Sequence, residues 1–161
     1  MIEINKKIPH FCLRNQNKEK ICDTDLIGTW LVLYFYPKDN TPGCTLEARN
    51  FSYYEKEFDS LNAKVLGVSP DSCESHQKFT QKHDLTVTLL SDTEHEVLKQ
   101  FNVWKPKKFM GKEFLGVIRT TYLIDPKGIT RYIWNNVKVE NHIQEVLEKL
   151  KELQQEPGDT K

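Results

Sequence analysis

Three short apolar runs, separated by longer amphipathic segments, set the predicted architecture. The runs are rich in β-branched and aromatic residues and have the length of buried strands; they cover residues 31–36, 63–68 and 87–90. Helices are predicted after each run, from Thr41 to Leu61, from Asp71 or Ser72 to about His83, and from Asp92 or Thr93 to Phe101. Because strands that alternate with helices pair in parallel through right-handed crossovers, the pattern predicts an α/β fold.

The two ends of the chain add antiparallel elements and a closing helix. Residues 2–22 contain short extended pieces around a polar turn, which predicts an N-terminal hairpin. A second hairpin is predicted from 119–124 and 129–134, which flank a turn with proline and glycine. The last helix is predicted to begin at Asn141, in a capping box with Gln144, and to bury one apolar face.

Length and charge narrow the classes of function. The 161 residues predict one domain, residues 1–153, followed by a flexible polar tail, residues 154–161. The 23 basic and 23 acidic residues balance, which gives no attraction to nucleic acid or to an anionic membrane. No apolar run approaches the ~20 residues that span a bilayer, and residues 1–7 lack the order of a signal peptide. We therefore expect a cytoplasmic protein without a nucleic-acid or membrane partner.

The cysteines and histidines show no metal-binding or dithiol spacing. The cysteines are Cys12, Cys22, Cys44 and Cys73, and no C-x-x-C occurs. Four scattered cysteines in a reducing compartment predict free thiols. The five histidines contain no H-x-x-x-H, so we expect them to be surface or hydrogen-bonded residues and expect no bound metal.

One segment combines the end of a strand with a cysteine at the start of a helix. Pro37 follows the strand 31–36 and ends it, because proline cannot donate to a sheet ladder. Thr41 and Pro42 have the order of an N-cap and a first helical residue, which places Cys44 in the first turn. The free amides and the positive end of the helix dipole favour a thiolate there. Cys44 is therefore the predicted nucleophile.

This segment resembles the active-site signature of the peroxiredoxins. Pro37, Thr41 and Cys44 have the family spacing P-x-x-x-T-x-x-C, and residues 36–48 (YPKDNTPGCTLEA) resemble the bacterioferritin-comigratory or Q-type subfamily. Other stretches that fit the subfamily are residues 65–71 with Ser75 and His76, residues 89–92, and residues 101–104 with 109–112. The resemblance implies a thioredoxin-like fold, in which a central mixed sheet is flanked by helices.

The resemblance also implies a reaction. Peroxiredoxins reduce hydrogen peroxide and organic hydroperoxides to water and alcohols through a cysteine sulfenic acid, without metal, haem or flavin. Cys44 would be the peroxidatic cysteine, and a thiol reductant, with thioredoxin the expected one, would recycle it. Many Q-type relatives are monomers, so we expect a monomer.

Five further residues receive roles from the resemblance. A helix N-terminus alone stabilises a thiolate by only about 0.3–1 kcal/mol, so a cation is needed as well, and Arg119 matches the family's active-site arginine. The remaining implied roles are a hydrogen bond to the peroxide from Thr41, amide donors at Gly43 and Cys44, shielding of the thiolate by Pro37, and orientation of the arginine by Glu47.

The sequence departs from its relatives at the positions of the resolving cysteine. Many Q-type members carry this cysteine five residues after the peroxidatic one, where this chain has Arg49; others carry it in the next helix, near Thr80. Cys73 is then the remaining partner for Cys44, and the alternative is a one-cysteine mechanism that uses an external thiol. The other two cysteines are expected to be structural thiols.

Other functions are compatible with a reactive Cys44. A redox sensor or holdase would use its oxidised form as a signal and would need only one oxidation, whereas a peroxidase needs recycling. A glutathione-peroxidase-like enzyme or a thiol–disulfide oxidoreductase fits less well, because the motif is P-x-x-x-T-x-x-C and no C-x-x-C is present.

Overall fold

The apolar runs of the sequence form the middle of a seven-stranded sheet. The computed structural model describes residues 3–155, and its strands are β1 (Cys12–Asn15), β2 (Lys20–Cys22), β3 (Trp30–Phe35), β4 (Ala63–Ser69), β5 (Thr88–Ser91), β6 (Trp104–Phe109), β7 (Lys112–Val117), β8 (Thr120–Ile124) and β9 (Thr130–Trp134). The helices are α1 (Pro42–Tyr53), α2 (Glu55–Ser60), α3 (Cys73–His83), α4 (Glu96–Gln100) and α5 (His142–Gln154), with a 3-10 turn at Asp23–Leu26.

The sheet mixes parallel and antiparallel pairs, in the order β2-β1-β5-β4-β3-β8-β9. The three central strands β3, β4 and β5 run parallel, and β8 and β9 form the predicted second hairpin on one side of them. The N-terminal hairpin, β1 and β2, joins the same sheet because β1 pairs antiparallel with β5. The predicted α/β fold with a central mixed sheet is therefore confirmed.

Both faces of the sheet are covered, which is why every residue of β3 is buried. One face packs against α1, α3 and α5, and the other packs against α4 and the segment that precedes β1. Gly67 of β4 lies opposite Tyr34 of β3, and a Cβ at this glycine would lie 2.5 Å from the tyrosine Cζ. Glycine is therefore required for the ring to pack across the sheet. No helix within residues 3–155 is long and apolar enough to cross a membrane.

Two predicted helices have different bounds. The helix predicted from Thr41 to Leu61 breaks at Tyr54 into α1 and α2, and Leu46, which belongs to its predicted apolar stripe, is 48% exposed. The second difference is at α4, which begins at Glu96, whereas the sequence predicted a start at Asp92 or Thr93.

The predicted capping box of α5 is wrong. Asn141 precedes the helix with a φ of +62°, outside the extended region that a side-chain cap requires, and it makes no cap bond. Gln144 instead donates to the Tyr54 hydroxyl at 3.3 Å. The helix includes Gln154, one residue beyond the predicted domain boundary, and residues 156–161 of the predicted tail lie outside the described residues.

The hairpin of β6 and β7 was not predicted. Its strands carry lysines and a proline among scattered apolar residues, so residues 104–117 lack the clean alternation that indicates a strand. The apolar side chains near its tip, such as Met110, are exposed. This hairpin matters for the site because its second strand leads directly into Arg119.

Candidate active site

Cys44 lies in the first turn of α1, at the carboxyl end of β3, where open α/β sheets form their sites. Pro42 occupies the first helical position, as predicted, and the amide of Thr45 donates to the Thr41 carbonyl at 2.9 Å. Helix geometry leaves the amides of Gly43 and Cys44 without an intrahelical acceptor. The Cys44 side chain is only 1% exposed. A buried thiol therefore lies in the first turn, at the positive end of the helix dipole.

Arg119 lies just before β8, the strand that pairs with β3, and its side chain reaches the cysteine at that edge of the sheet. Its Nη2 donates to Cys44 Sγ at 3.2 Å, and its Nη1 donates to Glu47 Oε1 at 2.6 Å. Burial lowers the pKa of Arg119, but the charges and hydrogen bonds of Glu47 and Cys44 outweigh burial, so the pKa is raised and the guanidinium stays charged. A Cβ at Gly43 would lie 3.3 Å from Nη2, so glycine there lets the guanidinium approach closely.

Glu47 is fully buried one turn along α1 from the cysteine. Only one of its oxygens is bonded: Oε2 has no hydrogen-bond partner among residues 3–155. Burial raises the pKa of Glu47 to about 7, although the charge and hydrogen bond of Arg119 act in the opposite direction. Burial outweighs the ion pair because half of the carboxylate is left without a donor.

Thr41 occupies the N-cap position of α1 with extended backbone, as predicted, but its side chain does not cap the helix. Its hydroxyl donates to the Lys38 carbonyl at 2.8 Å, which leaves the oxygen lone pairs able to accept. Pro37 is half-buried and follows Tyr36, whose amide makes a hydrogen bond to Val68 at 3.0 Å. Both residues thus lie in the loop that joins β3 to the cysteine-bearing turn.

A buried network, which sequence reasoning missed, fixes this loop. Asp39 Oδ1 accepts from the Tyr36 hydroxyl at 2.7 Å, and its Oδ2 accepts from Ser75 Oγ and from His76 Nδ1, each at 2.7 Å. The Asp39 amide donates to Asp71 Oδ2 at 2.8 Å. The sequence showed that His76 lies in a subfamily motif, but it gave no signal of which carboxylate this buried ring would meet.

The same network accounts for the one group of possible metal ligands within residues 3–155. Ligand atoms of Asp39, Asp71 and His76 lie within 4.8 Å of one another. The Asp39 and His76 side chains are already bound to each other, Asp39 also accepts from Tyr36, and Asp71 accepts from Ser69 and from the Asp39 amide. The carboxylate oxygens and ring nitrogens therefore serve as hydrogen-bond partners that hold the loop against α3.

The prediction of four free thiols is wrong for two of them. Cys12 and Cys22 form a disulfide, because the register of β1 and β2 places them directly opposite each other with Cα atoms 4.0 Å apart. The signal was present in the sequence: both cysteines stand five positions from Asn17, in the predicted turn. The wide separation of cysteines along a chain therefore does not exclude a disulfide between two strands of a hairpin.

Cys44 and Cys73 are the free cysteines. Cys73 is half-buried at the start of α3, and its Sγ lies 4.0 Å from the carbonyl oxygen of Arg14 in β1. Of the two usual resolving positions, Arg49 is exposed on α1 and Thr80 accepts from Gln16 Nε2 at 3.3 Å. The structure thus brings Cys44, Arg119 and Glu47 together and directs Cys73 elsewhere.

Comparison with known proteins identifies the class that this fold and site define. The AhpC/TSA family matches residues 4–133. The peroxiredoxin Bcp of Bacillus subtilis is 47% identical over 152 residues, which cover 94% of this chain and 97% of that protein. A cysteine mutant of Xylella fastidiosa PrxQ superimposes with a TM-score of 0.90 at 38% identity, covering 94% of this chain and 97% of that one.

The bacterioferritin comigratory protein of Xanthomonas campestris, studied for alkyl peroxide reduction, has a TM-score of 0.84 at 40% identity and covers 88% of this chain and 90% of that one. The chain belongs to the AhpC/TSA family, and within it to the Bcp or Q-type peroxiredoxins. It is therefore a thiol peroxidase with the thioredoxin-like fold, which uses a peroxide as oxidant and a thiol as reductant. The resemblance noted in the sequence is confirmed.

Proposed function

We propose that this peroxidase reduces hydrogen peroxide and organic hydroperoxides at Cys44 and is recycled by thioredoxin. The observation that carries the proposal is the contact between Cys44 Sγ and the Arg119 guanidinium at the first turn of α1. A cationic donor and a helix N-terminus meet on one sulfur there, and both stabilise a thiolate. The reported alkyl peroxide reduction by the Xanthomonas campestris protein supports the substrate class.

The chemistry follows from charge movement at the sulfur. The thiolate attacks the outer peroxide oxygen, the S–O bond forms as the O–O bond breaks, and the electron pair leaves on an alkoxide or hydroxide that takes a proton from water. Arg119 faces the sulfur, so its positive charge stabilises the charge that develops on the peroxide. The amides of Gly43 and Cys44 donate to the peroxide, and the Thr41 oxygen accepts from its hydroxyl.

In this mechanism Glu47 positions Arg119, and Pro37 shields the thiolate from water. The Glu47 carboxylate holds one arm of the Arg119 guanidinium and so directs the other arm to the sulfur. Pro37, half-buried in the loop before α1, limits the access of water to the thiolate. A monomeric state and a cytoplasmic location remain predictions.

The proposal is tested with Cys44→Ser. We expect peroxide consumption to be abolished while circular dichroism shows an intact fold. For the unmodified protein, the electron source is varied between thioredoxin with its reductase and glutathione with glutaredoxin, and hydrogen peroxide is compared with an organic hydroperoxide.

Two results would contradict the proposal. Turnover of Cys44→Ser near that of the unmodified chain would move the chemistry to another residue. Consumption of one equivalent of peroxide without further turnover, with every electron source, would indicate a sensor instead of a recycled enzyme.

A further inference from the structure

The disulfide between β1 and β2 has an acid–base pair beside it. His10 Nε2 lies 3.8 Å from Cys12 Sγ, and the opposite ring nitrogen, Nδ1, lies 2.7 Å from Asp23 Oδ1. Sulfur, imidazole and carboxylate therefore stand in a row. This is the order in which a thiol, its proton-transfer partner and an orienting group are arranged in cysteine chemistry.

The carboxylate is fixed more firmly than the imidazole that it orients. Asp23 Oδ1 also accepts from the Phe11 amide at 2.9 Å, and the Asp23 amide donates to the Phe11 carbonyl at 3.1 Å. The Asp23 side chain is only 14% exposed, whereas that of His10 is 67% exposed. The ring can therefore exchange protons with water while its orientation toward the sulfur is held.

Space for a partner lies next to this row. A cleft of about 310 Å³ runs between residues 10–13 and the segment that leads into α4. Both bonded cysteines are half-buried and not enclosed in the core. Glu94 and Glu96 also line the cleft and give it a negative charge. Cys12 therefore lines an acidic cleft, whereas Cys22 is partly exposed to solvent outside that cleft.

We propose that the Cys12–Cys22 disulfide is a second redox site, separate from Cys44, which a protein dithiol reduces with His10 as the proton donor. A thiolate of the partner attacks Cys22 Sγ, the disulfide bond breaks, and the electron pair remains on Cys12 Sγ, which takes a proton from His10 Nε2. The second thiol of the partner then attacks the mixed disulfide and releases Cys22 as a thiolate that is protonated by water. The partner becomes a disulfide, and this chain gains two thiols.

The chemistry of the cleft favours a dithiol protein over a small acidic monothiol. Glutathione carries a net negative charge and would be repelled by Glu94 and Glu96. A dithiol also completes the exchange within one complex, whereas a monothiol needs a second molecule to reach the mixed disulfide. Direct attack on Cys22 leaves Cys12, the sulfur beside His10, as the leaving group.

The experiment uses the double variant Cys44→Ser/Cys73→Ser, which keeps Cys12 and Cys22 as its cysteines. Bacterial thioredoxin, with thioredoxin reductase and NADPH, is the probe, and glutathione with glutathione reductase is the comparison. We expect one NADPH to be consumed per chain with thioredoxin, at least tenfold faster than with glutathione. Alkylation followed by peptide mass spectrometry then shows both cysteines modified.

His10 is tested in the same background by His10→Ala, with the half-buried His83→Ala on α3 as the matched control. We expect His10→Ala to slow reduction by thioredoxin at least tenfold and His83→Ala to leave the rate unchanged. No NADPH consumption, or equal rates for the two histidine variants, would overturn the proposal and leave a structural cross-link. Because Cys44 is absent from every protein in this test, the outcome does not depend on the peroxidase mechanism.

Discussion

At the residue scale, three side chains of the proposed active site form a single line of contacts. Cys44 Sγ accepts from one arm of Arg119, and Glu47 Oε1 accepts from the other. Arg119 thus has two partners that compete for its positive charge. The balance between them depends on whether Glu47 is ionised, and the pKa of Glu47 is raised to about 7.

The first residue-scale prediction concerns the planar fork of Arg119. Arg119→Lys keeps a positive charge but cannot bond the sulfur and the carboxylate with two rigid arms. We expect peroxide consumption to fall about 100-fold, the usual cost of one lost donor to a developing charge. The loss is measured as steady-state turnover of peroxide. The control is Arg49→Lys, a change at an exposed arginine on α1.

Arg119→Met extends this test to the sulfur itself. Without the guanidinium, alkylation of Cys44 by iodoacetamide at neutral pH should slow, because less thiolate is present. An alkylation rate equal to that of the unmodified protein would show that the arginine does not act on the sulfur in solution.

The second residue-scale prediction is a pH dependence of stability caused by Glu47. Burial raises its pKa in the folded state from 4.5 to about 7, so the folded protein binds an extra proton between these values. This contribution to the free energy of unfolding is fully present below about pH 4.5 and is lost as the pH rises through about 7. A shift from 4.5 to about 7, at about 1.4 kcal/mol per unit, corresponds to roughly 3 kcal/mol.

Urea unfolding at pH 5 and pH 8 checks this pH dependence. Glu47→Gln removes the titrating group, so between pH 5 and pH 8 its free energy of unfolding should fall by about 2.5 kcal/mol less than that of the unmodified protein. Glu148→Gln, an exposed change on α5, should leave the dependence unaltered. If the free energy of unfolding changed by the same amount between pH 5 and pH 8 in Glu47→Gln and in the unmodified protein, Glu47 would not titrate in this range.

At the element scale, the loop before α1 is tied to the start of α3 by Asp39. Its carboxylate accepts from Ser75 and His76 of that helix, and its amide donates to Asp71, which precedes the helix. The loop contains Thr41 and leads into the helical turn that contains Cys44. The position of the proposed peroxide-binding residues therefore depends on a contact with a second helix.

Asp39→Asn should loosen that contact. The amide is neutral and offers only one oxygen to donors that now bind two, which leaves buried polar groups unpaired. We expect a loss of about 3 kcal/mol in the free energy of unfolding, measured with urea, and a lower turnover at temperatures where the variant is folded. Asp59→Asn, at an exposed position of α2, is the control. A loss no larger than that of the control would remove the loop-anchoring role.

At the scale of the whole molecule, the sheet separates the two free cysteines. Cys44 follows β3, whereas the Cys73 sulfur faces Arg14 in β1. The strand order places β5 and β4 between β1 and β3. Three strand spacings, about 14 Å, separate the strand that the Cys73 sulfur contacts from the strand that leads to Cys44, whereas a disulfide needs Cα atoms within about 7 Å.

Cys73→Ser should therefore retain thioredoxin-dependent turnover. The expected intermediate is a sulfenic acid at Cys44, which dimedone traps after one equivalent of peroxide, and an external thiol resolves it. Peptide mapping without reduction is the direct measurement. A dominant Cys44–Cys73 linkage, together with loss of turnover in Cys73→Ser, would show instead that the helix starts unwind to form the disulfide.

The sequence by itself determined the central strands and the place of Cys44, the proposed nucleophile, at the start of a helix. Buried parallel strands such as β3 need uninterrupted apolar runs, and a helix start needs residues such as Thr41 and Pro42, so both are local signals. The resemblance to peroxiredoxins supplied Arg119 and Glu47, residues that no local pattern connects with Cys44.

Only the tertiary structure decided which distant groups meet and how deeply they are buried. The Cys12–Cys22 disulfide depends on strand register, and the Asp39–His76 pair depends on the packing of a loop against a helix. The raised pKa of Glu47 depends on complete burial with one oxygen unbonded. Register, burial and desolvation are properties of several elements together, and a linear sequence does not display them until those elements have packed.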